Sequence, residues 1–194
     1  MTKAELRRQN LARQQSLPLP LAESLSQDIA DRLFEAFDWS GLRTVHCFLP
    51  IAKNREINTW LIIRRLQRDF PQVRIAVPQT NARTFTLTNY QLTPDTVLQQ
   101  TRWGVPEPRD GEIIPAEVID CVLLPLLAYD QRGYRVGYGK GFYDRFLIHC
   151  RPDVIRIGLS YFDPETQIAD ISPFDVPLHH CLTPERIWSF APVG

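Results

Sequence analysis

The chain has 194 residues, enough for one domain (1–194) with a sizeable core and too few for two. Its 22 Lys and Arg balance its 22 Asp and Glu, so net charge gives no reason to expect nucleic acid or a membrane surface as a partner. At 44% hydrophobic and 23% charged the composition is that of a soluble globular protein; no apolar run nears the roughly 18 residues of a membrane span, and the polar, basic start lacks the apolar stretch of a secretory signal.

"TKAE" is a capping box, with Thr2 as cap and Glu5 three residues on, and it predicts a first helix over 3–15 that "SLPLP" then breaks. Leu25, Ile29, Leu33 and Phe37 recur every four residues and predict a second helix over 21–37. "RTVHCFLP" (43–50) reads as a short buried strand, and "NTWLIIRRLQRDF" (58–70) as a helix capped by Asn58. "VRIAVP" (73–78) is a further strand, and "TFTLTNY" (84–90) alternates as a half-exposed strand does. "VIDCVLLPLL" (118–127) is apolar throughout, the mark of a strand covered on both faces. "DQRG" (130–133) is a turn, 139–150 reads as a helix, "VIRIGLSY" (154–161) as a strand, and the last thirty residues as mostly irregular. Helices alternating with apolar strands predict an α/β fold around a mostly parallel central sheet, with ligands gathered at the carboxyl ends of the strands.

The four cysteines, Cys47, Cys121, Cys150 and Cys181, have no paired spacing, and Cys47 and Cys121 lie inside apolar runs, as buried free thiols of a reducing cytoplasm do. "HHC" (179–181) invites a zinc reading, but adjacent side chains diverge and no second His or Cys pair stands at ligand spacing. No Gly-x-Ser-x-Gly elbow occurs.

The segment "RVGYGKGFYDRF" (135–146) carries the chemistry. Gly137, Gly139 and Gly141 alternate, which lets backbone amides approach an anion and adopt positive φ. Lys140 adds a mobile cation, Arg135 and Arg145 flank it, and Asp144 is a hard oxygen ligand of the kind Mg2+ takes beside phosphates. The pattern fits neither GxxxxGK[ST] nor GxGxxG. Lys, Arg and Asp together favour phosphate binding over a plain glycine turn. By spacing alone, Lys3 and Arg7 share a helix face that reads as solvated, and Asp175 in "SPFDVPL" reads as a turn residue before it reads as a metal ligand. Glu56, in a polar loop, and Trp103, in "TRWGVPEP", are open between a ligand role and a structural one.

"LLPLLAYDQRGYRVGYGKGFYDRFL" resembles the signature of the 5-formyltetrahydrofolate cyclo-ligase family, also called methenyltetrahydrofolate synthetases. The likeness extends to "KAELR", "HCFLP" with Glu56 after it, "RWGVPEP" and "FDVPLHHCLTPERIW", nearly the whole chain; Phe142 stands where the family commonly has tyrosine. The resemblance implies a three-layer α/β/α fold akin to the sugar-phosphate isomerase and CoA-transferase group. It implies an ATP- and Mg2+-dependent conversion of 5-formyltetrahydrofolate to 5,10-methenyltetrahydrofolate, with release of ADP and phosphate, by a monomer with only small-molecule partners. In that reading Lys3, Arg7 and the stretch Arg135, Gly137, Tyr138, Gly139, Lys140, Gly141, Phe142 and Tyr143 bind ATP, with Lys140 and Arg145 catalytic. Leu49, Glu56, Trp103 and Tyr138 line the folate pocket, and Asp144 and Asp175 hold Mg2+. The alternatives are a sugar-phosphate isomerase-like enzyme and a non-catalytic folate- or nucleotide-binding relative.

Overall fold

A computed structural model describes residues 1–191. The Thr2 hydroxyl accepts from the Glu5 amide at 3.3 Å and the Glu5 carboxylate accepts from the Thr2 amide at 2.8 Å, so the expected box starts α1 (Lys3–Gln15). α2 (Leu19–Ala36) begins two residues before its expected start, because Pro20 fits the first turn, where an amide is not needed. After β1 (Thr44–His46) come α3 (Trp60–Asp69), β2 (Arg74–Asn81), β3 (Thr86–Gln91), and a hairpin of β4 (Leu98–Gln100) and β5 (Pro106–Pro108). β6 (Cys121–Pro125) leads into a second hairpin, β7 (Ala128–Tyr129) and β8 (Arg135–Val136), then α4 (Phe142–Leu147), β9 (Ile155–Leu159), β10 (His180–Leu182) and β11 (Ile187–Ser189).

The main sheet has the order β11-β10-β9-β6-β1-β2-β3. The five inner strands run parallel and the edge strands β11 and β3 antiparallel, the mostly parallel sheet the sequence predicts. Alternation along β1, β2 and β6 sends Val45, Cys47, Val77, Cys121 and Leu123 to one face, under α2 and α3. Ala76, Val122 and Leu124 go to the other, under Phe146 and Leu147 of α4. Both faces of β6 are covered, which is why it reads as an unbroken apolar run. α1 covers neither face: Leu6 packs with Ala128, Val136 and Ile168, which docks the helix on the β7–β8 hairpin. The site depends on that docking.

Some elements differ from expectation. The helix expected over 139–150 is six residues long, because Gly139 (φ 90°) and Gly141 (φ 68°) hold the chain in the left-handed region until Phe142. The strand expected over 43–50 is assigned only as β1, although the Cys47 amide still donates to Ala76 O at 2.9 Å before the chain leaves the sheet. Asn58 sits one position ahead of the cap of α3, where Thr59 stands, and its Oδ1 accepts from the Trp60 amide at 3.3 Å. The tail expected to be irregular contributes β10 and β11, whose mixed composition hides them. Cys47, Cys121 and Cys181 are buried free thiols, and burial pushes the Cys47 thiol up to about 12.

Candidate functional site

The glycine loop is held in place from outside itself. Asp130, fully buried at the turn of the β7–β8 hairpin, accepts from the amides of Arg132, Tyr134 and Ile168 at 3.0 to 3.1 Å and from the Arg132 guanidinium at 2.7 Å. A buried carboxylate satisfied this fully is a structural hub. The sequence shows it only as a turn residue; the signal available was an aspartate two and four residues ahead of two of the amides it binds, those of Arg132 and Tyr134, in the manner of an Asx turn.

From that hairpin Arg135 enters the site buried. Its guanidinium donates to Asp144 Oδ1 at 2.8 Å and to the Val176 carbonyl, and the Val176 amide donates to the same Asp144 oxygen at 3.1 Å. Burial pulls the Arg135 guanidinium below its ordinary range, and the neighbouring Asp144 and Asp175 oppose that. The arrangement joins the loop, the start of α4 and the segment of Asp175.

α1 supplies the next two groups. Arg7 Nε donates to Gly137 O at 2.8 Å, and its guanidinium lies so close over Gly139 that a Cβ there would sit 2.9 Å from Arg7 Cζ. Gly139 is thus required twice, by its φ of 90° and by Arg7. Lys3 Nζ pairs with Asp175 Oδ2, which also accepts from the Ser172 amide at 2.6 Å. The spacing-based reading of Lys3 and Arg7 as a solvated face fails: both are half-buried against residues 172 and 130 positions away. Asp175 closes a turn with its own side chain and also faces α1.

Lys140 stands at the loop tip, exposed, and makes no ion pair among the described residues; its Nζ lies 6.0 Å from the centre of the Phe85 ring. Phe85, at the tip of the β2–β3 hairpin with a φ of 57°, also meets Phe142 at 6.0 Å between ring centres. Arg145 braces the loop from behind, donating to Lys140 O at 2.8 Å and Gly141 O at 3.2 Å.

On the other side of the loop, Tyr138 faces Glu56. The Glu56 carboxylate accepts from the Ile51 amide at 2.6 Å, and burial raises its pKa to about 7 against the opposing pull of Tyr138 and that amide. The Tyr138 hydroxyl is buried with no partner in hydrogen-bond geometry among the described residues, although Glu56, Asn54 and Gln14 surround it, and burial raises its pKa. A narrow cleft of about 10 Å³, lined by Gln14, Phe48, Glu56, Leu126 and Leu159, opens here. Leu49 is 3% exposed and belongs to the core beneath. Trp103 is exposed on the turn between β4 and β5, stacked under Arg102 at 4.6 Å, and its neighbour Gly104 lies against Lys53 from the Glu56 loop. A larger cavity of about 240 Å³ lies behind α4, between β3 and residues 113–117, with Asn89, Arg145 and His149 on its wall.

Asp144 and Asp175 converge through Arg135 and Val176, and among the described residues each keeps one oxygen (Asp144 Oδ2, Asp175 Oδ1) free of hydrogen bonds. Such a donor set suits Mg2+, which takes one or two carboxylates and fills its remaining positions with water and phosphate oxygens. His179 meets Arg156 and His180 meets Ser189, so the two adjacent rings have separate partners.

Fold and junction together define an open α/β-sheet protein with its candidate site beyond the carboxyl ends of the parallel strands. The sequence model of the 5-formyltetrahydrofolate cyclo-ligase family matches residues 1–184, and the chain belongs to that family. The 5-formyltetrahydrofolate cyclo-ligase of Mycolicibacterium smegmatis is 30% identical over 190 residues, 95% of each chain. That of Haemophilus influenzae is 35% identical over 92 residues, a match spanning about half of either chain, 46% of this one and 49% of the other. The solution structure of Aquifex aeolicus 5,10-methenyltetrahydrofolate synthetase superimposes with a TM-score of 0.83 at 23% identity, covering 100% of this chain and 95% of that one, and shows the shared fold.

Proposed function

We propose that the chain is an ATP-dependent 5-formyltetrahydrofolate cyclo-ligase. The observation that carries this is the docking of α1, which brings Lys3 and Arg7 onto the glycine loop beside Asp144 and Asp175. A cation cluster on alternating glycines suits a polyphosphate. Lys140 at the tip, with no ion pair among the described residues, is placed to follow charge as it builds on the transferred group. Asp144 and Asp175 are the residues to hold Mg2+, which when bound neutralises phosphate charge. Glu56, Tyr138 and Trp103 line the side on which the folate lies, and the orphaned Tyr138 hydroxyl gives that ligand a polar contact to complete.

In the reaction, the formyl oxygen attacks the γ-phosphorus and ADP leaves. The second folate nitrogen then attacks the activated carbon and loses its proton; phosphate departs with the C–O bond electrons as the ring closes. The chain positions both partners and stabilises charge, and supplies no covalent intermediate. We place it as one domain, a monomer in the cytoplasm, with ATP and the folate as its partners and no nucleic acid. No described helix is long and apolar enough to cross a membrane.

The test is purified protein with ATP, Mg2+ and 5-formyltetrahydrofolate, followed at the near-ultraviolet band of the methenyl product. The expected result is a band that needs both ATP and Mg2+. Absence of a band under all conditions refutes the reading and leaves the isomerase-like or purely binding alternatives.

A further inference from the structure

His46 lies at the carboxyl end of β1, fully buried, on the sheet face where Ala76, Val122 and Leu124 pack under α4. Its strand neighbours Ala76 and Val122 are small, and its ring packs on Phe146 of α4 with centres 5.0 Å apart. A buried imidazole is costly unless both nitrogens have partners. Here both do: Nδ1 lies 2.9 Å from Asn89 Oδ1, and Nε2 lies 3.2 Å from the Tyr143 hydroxyl. Asn89 Oδ1 only accepts, so Nδ1 carries the proton and Nε2 accepts the hydrogen of Tyr143. The ring stays neutral, since burial holds its pKa down at about 4.

Tyr143 stands in the first turn of α4, between Gly141 and Asp144. Six residues are too few for a helix to hold itself together, so its orientation must come from side-chain anchors. Phe146 and Leu147 anchor its apolar side. At its start Asp144 is held from the Arg135 side and Arg145 braces the Gly141 carbonyl, while the Tyr143 hydroxyl on His46 ties the same turn to the central sheet.

We propose that His46 is a positioning residue for the phosphate-transfer step: pinned by Asn89, it accepts the Tyr143 hydroxyl and fixes the first turn of α4, and with it Gly141 and Asp144, in the geometry the loop needs. The inference rests on reading that loop as the ATP site. No motif marks His46; an isolated histidine in "TVHCFLP" reads as part of a buried strand.

Three single variants, one double variant and one spectrum test it. His46→Phe keeps a ring and removes both nitrogens, whereas His46→Gln retains a donor for Asn89 and an acceptor for Tyr143. Tyr143→Phe removes the other end of the contact. Expected are a fall in kcat of about tenfold or more in His46→Phe and Tyr143→Phe, a raised KM for ATP, a KM for the folate within about twofold, and recovery of most of kcat in His46→Gln. The double variant His46→Phe/Tyr143→Phe should be no slower than the worse single one, as for two ends of one contact. In the intact protein, nitrogen NMR should show a pyrrole-type shift on His46 Nδ1 and a pyridine-type shift on Nε2 from pH 6 to 8. Unchanged kcat in Tyr143→Phe overturns the proposal, and that variant decides the matter if His46→Phe does not fold. The opposite tautomer overturns it too. The spectrum needs no turnover, so an inactive wild type would count against the cyclo-ligase reading while leaving the tautomer to be judged separately.

Discussion

Replacing Glu56 by Gln separates the cost of burying a charge from the benefit of binding a ligand. In the folded protein Glu56 holds its proton up to about pH 7, against an ordinary value of 4.5. The unfolded chain therefore releases that proton first as the pH rises, and stability falls between the two values; the full cost is present above pH 7 and absent below 4.5. A rise from 4.5 to about 7 corresponds to about 3 kcal/mol. Because Glu56 is only half-buried and keeps some solvent, about 2 kcal/mol is the better working figure. Gln keeps an oxygen for the Ile51 amide and carries no charge. Glu56→Gln should thus be more stable than the wild type at pH 8 by about 2 kcal/mol, roughly 4–8 °C in Tm, with little difference at pH 4.5. Thermal and urea unfolding of both proteins at pH 4.5, 6 and 8 measure this, and titrations shared by the two proteins cancel in the difference. A gap that does not widen with pH would show that Glu56 is not carrying a buried charge, and the reasoning fails. If Glu56 lies on the folate side, the same variant should raise the KM for the folate while leaving that for ATP near the wild-type value.

Asp130→Ala strips the hub of the β7–β8 hairpin and leaves Arg132 and three amides without their acceptor; a loss of about 3–5 kcal/mol is expected in urea unfolding, and less than about 1 kcal/mol would mean the hub is dispensable. Gly139→Ala forces a Cβ to within 2.9 Å of Arg7 and asks alanine for a φ of 90°, so ATP affinity should fall with folate affinity kept, readable by calorimetry with each ligand in turn. Equal ATP affinity in that variant would place the nucleotide elsewhere.

How much of this could be read in the chain depended on how local each signal is. The α1 cap needs only Thr2 and Glu5, three residues apart, and both the box and the helix are found. The covered faces of β6 show in its unbroken apolar run. The start of α4 could not be read from composition, because "GFYDRFLIHC" has helical side chains while that boundary is set by the backbone angles of Gly139 and Gly141. Lys3, Arg7 and Asp175 were invisible to spacing for a different reason: their partners lie more than a hundred residues away, and only the family resemblance pointed to them. His46 and Asn89 had no signal, since a buried polar pair is defined by a contact between strands that neither residue's neighbours encode.

The contacts around the loop divide its residues into two kinds. Alternating glycines give amides freedom to approach an anion, and that same freedom would blur the site unless something else fixed them. Here the fixing comes from Arg7 on Gly137, Arg145 on Lys140 and Gly141, and Arg135 on Asp144 and Val176. Among the described residues the Lys140 side chain, unlike those of Arg7, Arg135 and Arg145, makes neither a hydrogen bond nor an ion pair, and it is the group placed to meet charge as it develops. The two kinds should fail differently. Lys140→Ala should lose turnover by about a hundredfold or more with unchanged Tm and folate affinity, because it removes charge from a scaffold that stays in place. Arg135→Lys keeps a charge but replaces a planar fork with a single ammonium, so it should lose turnover and stability together, the latter by about 2–4 kcal/mol. Measuring kcat, folate affinity and Tm for both variants decides it. Loss of folate binding in Lys140→Ala, or an unchanged Tm in Arg135→Lys, would refute the division.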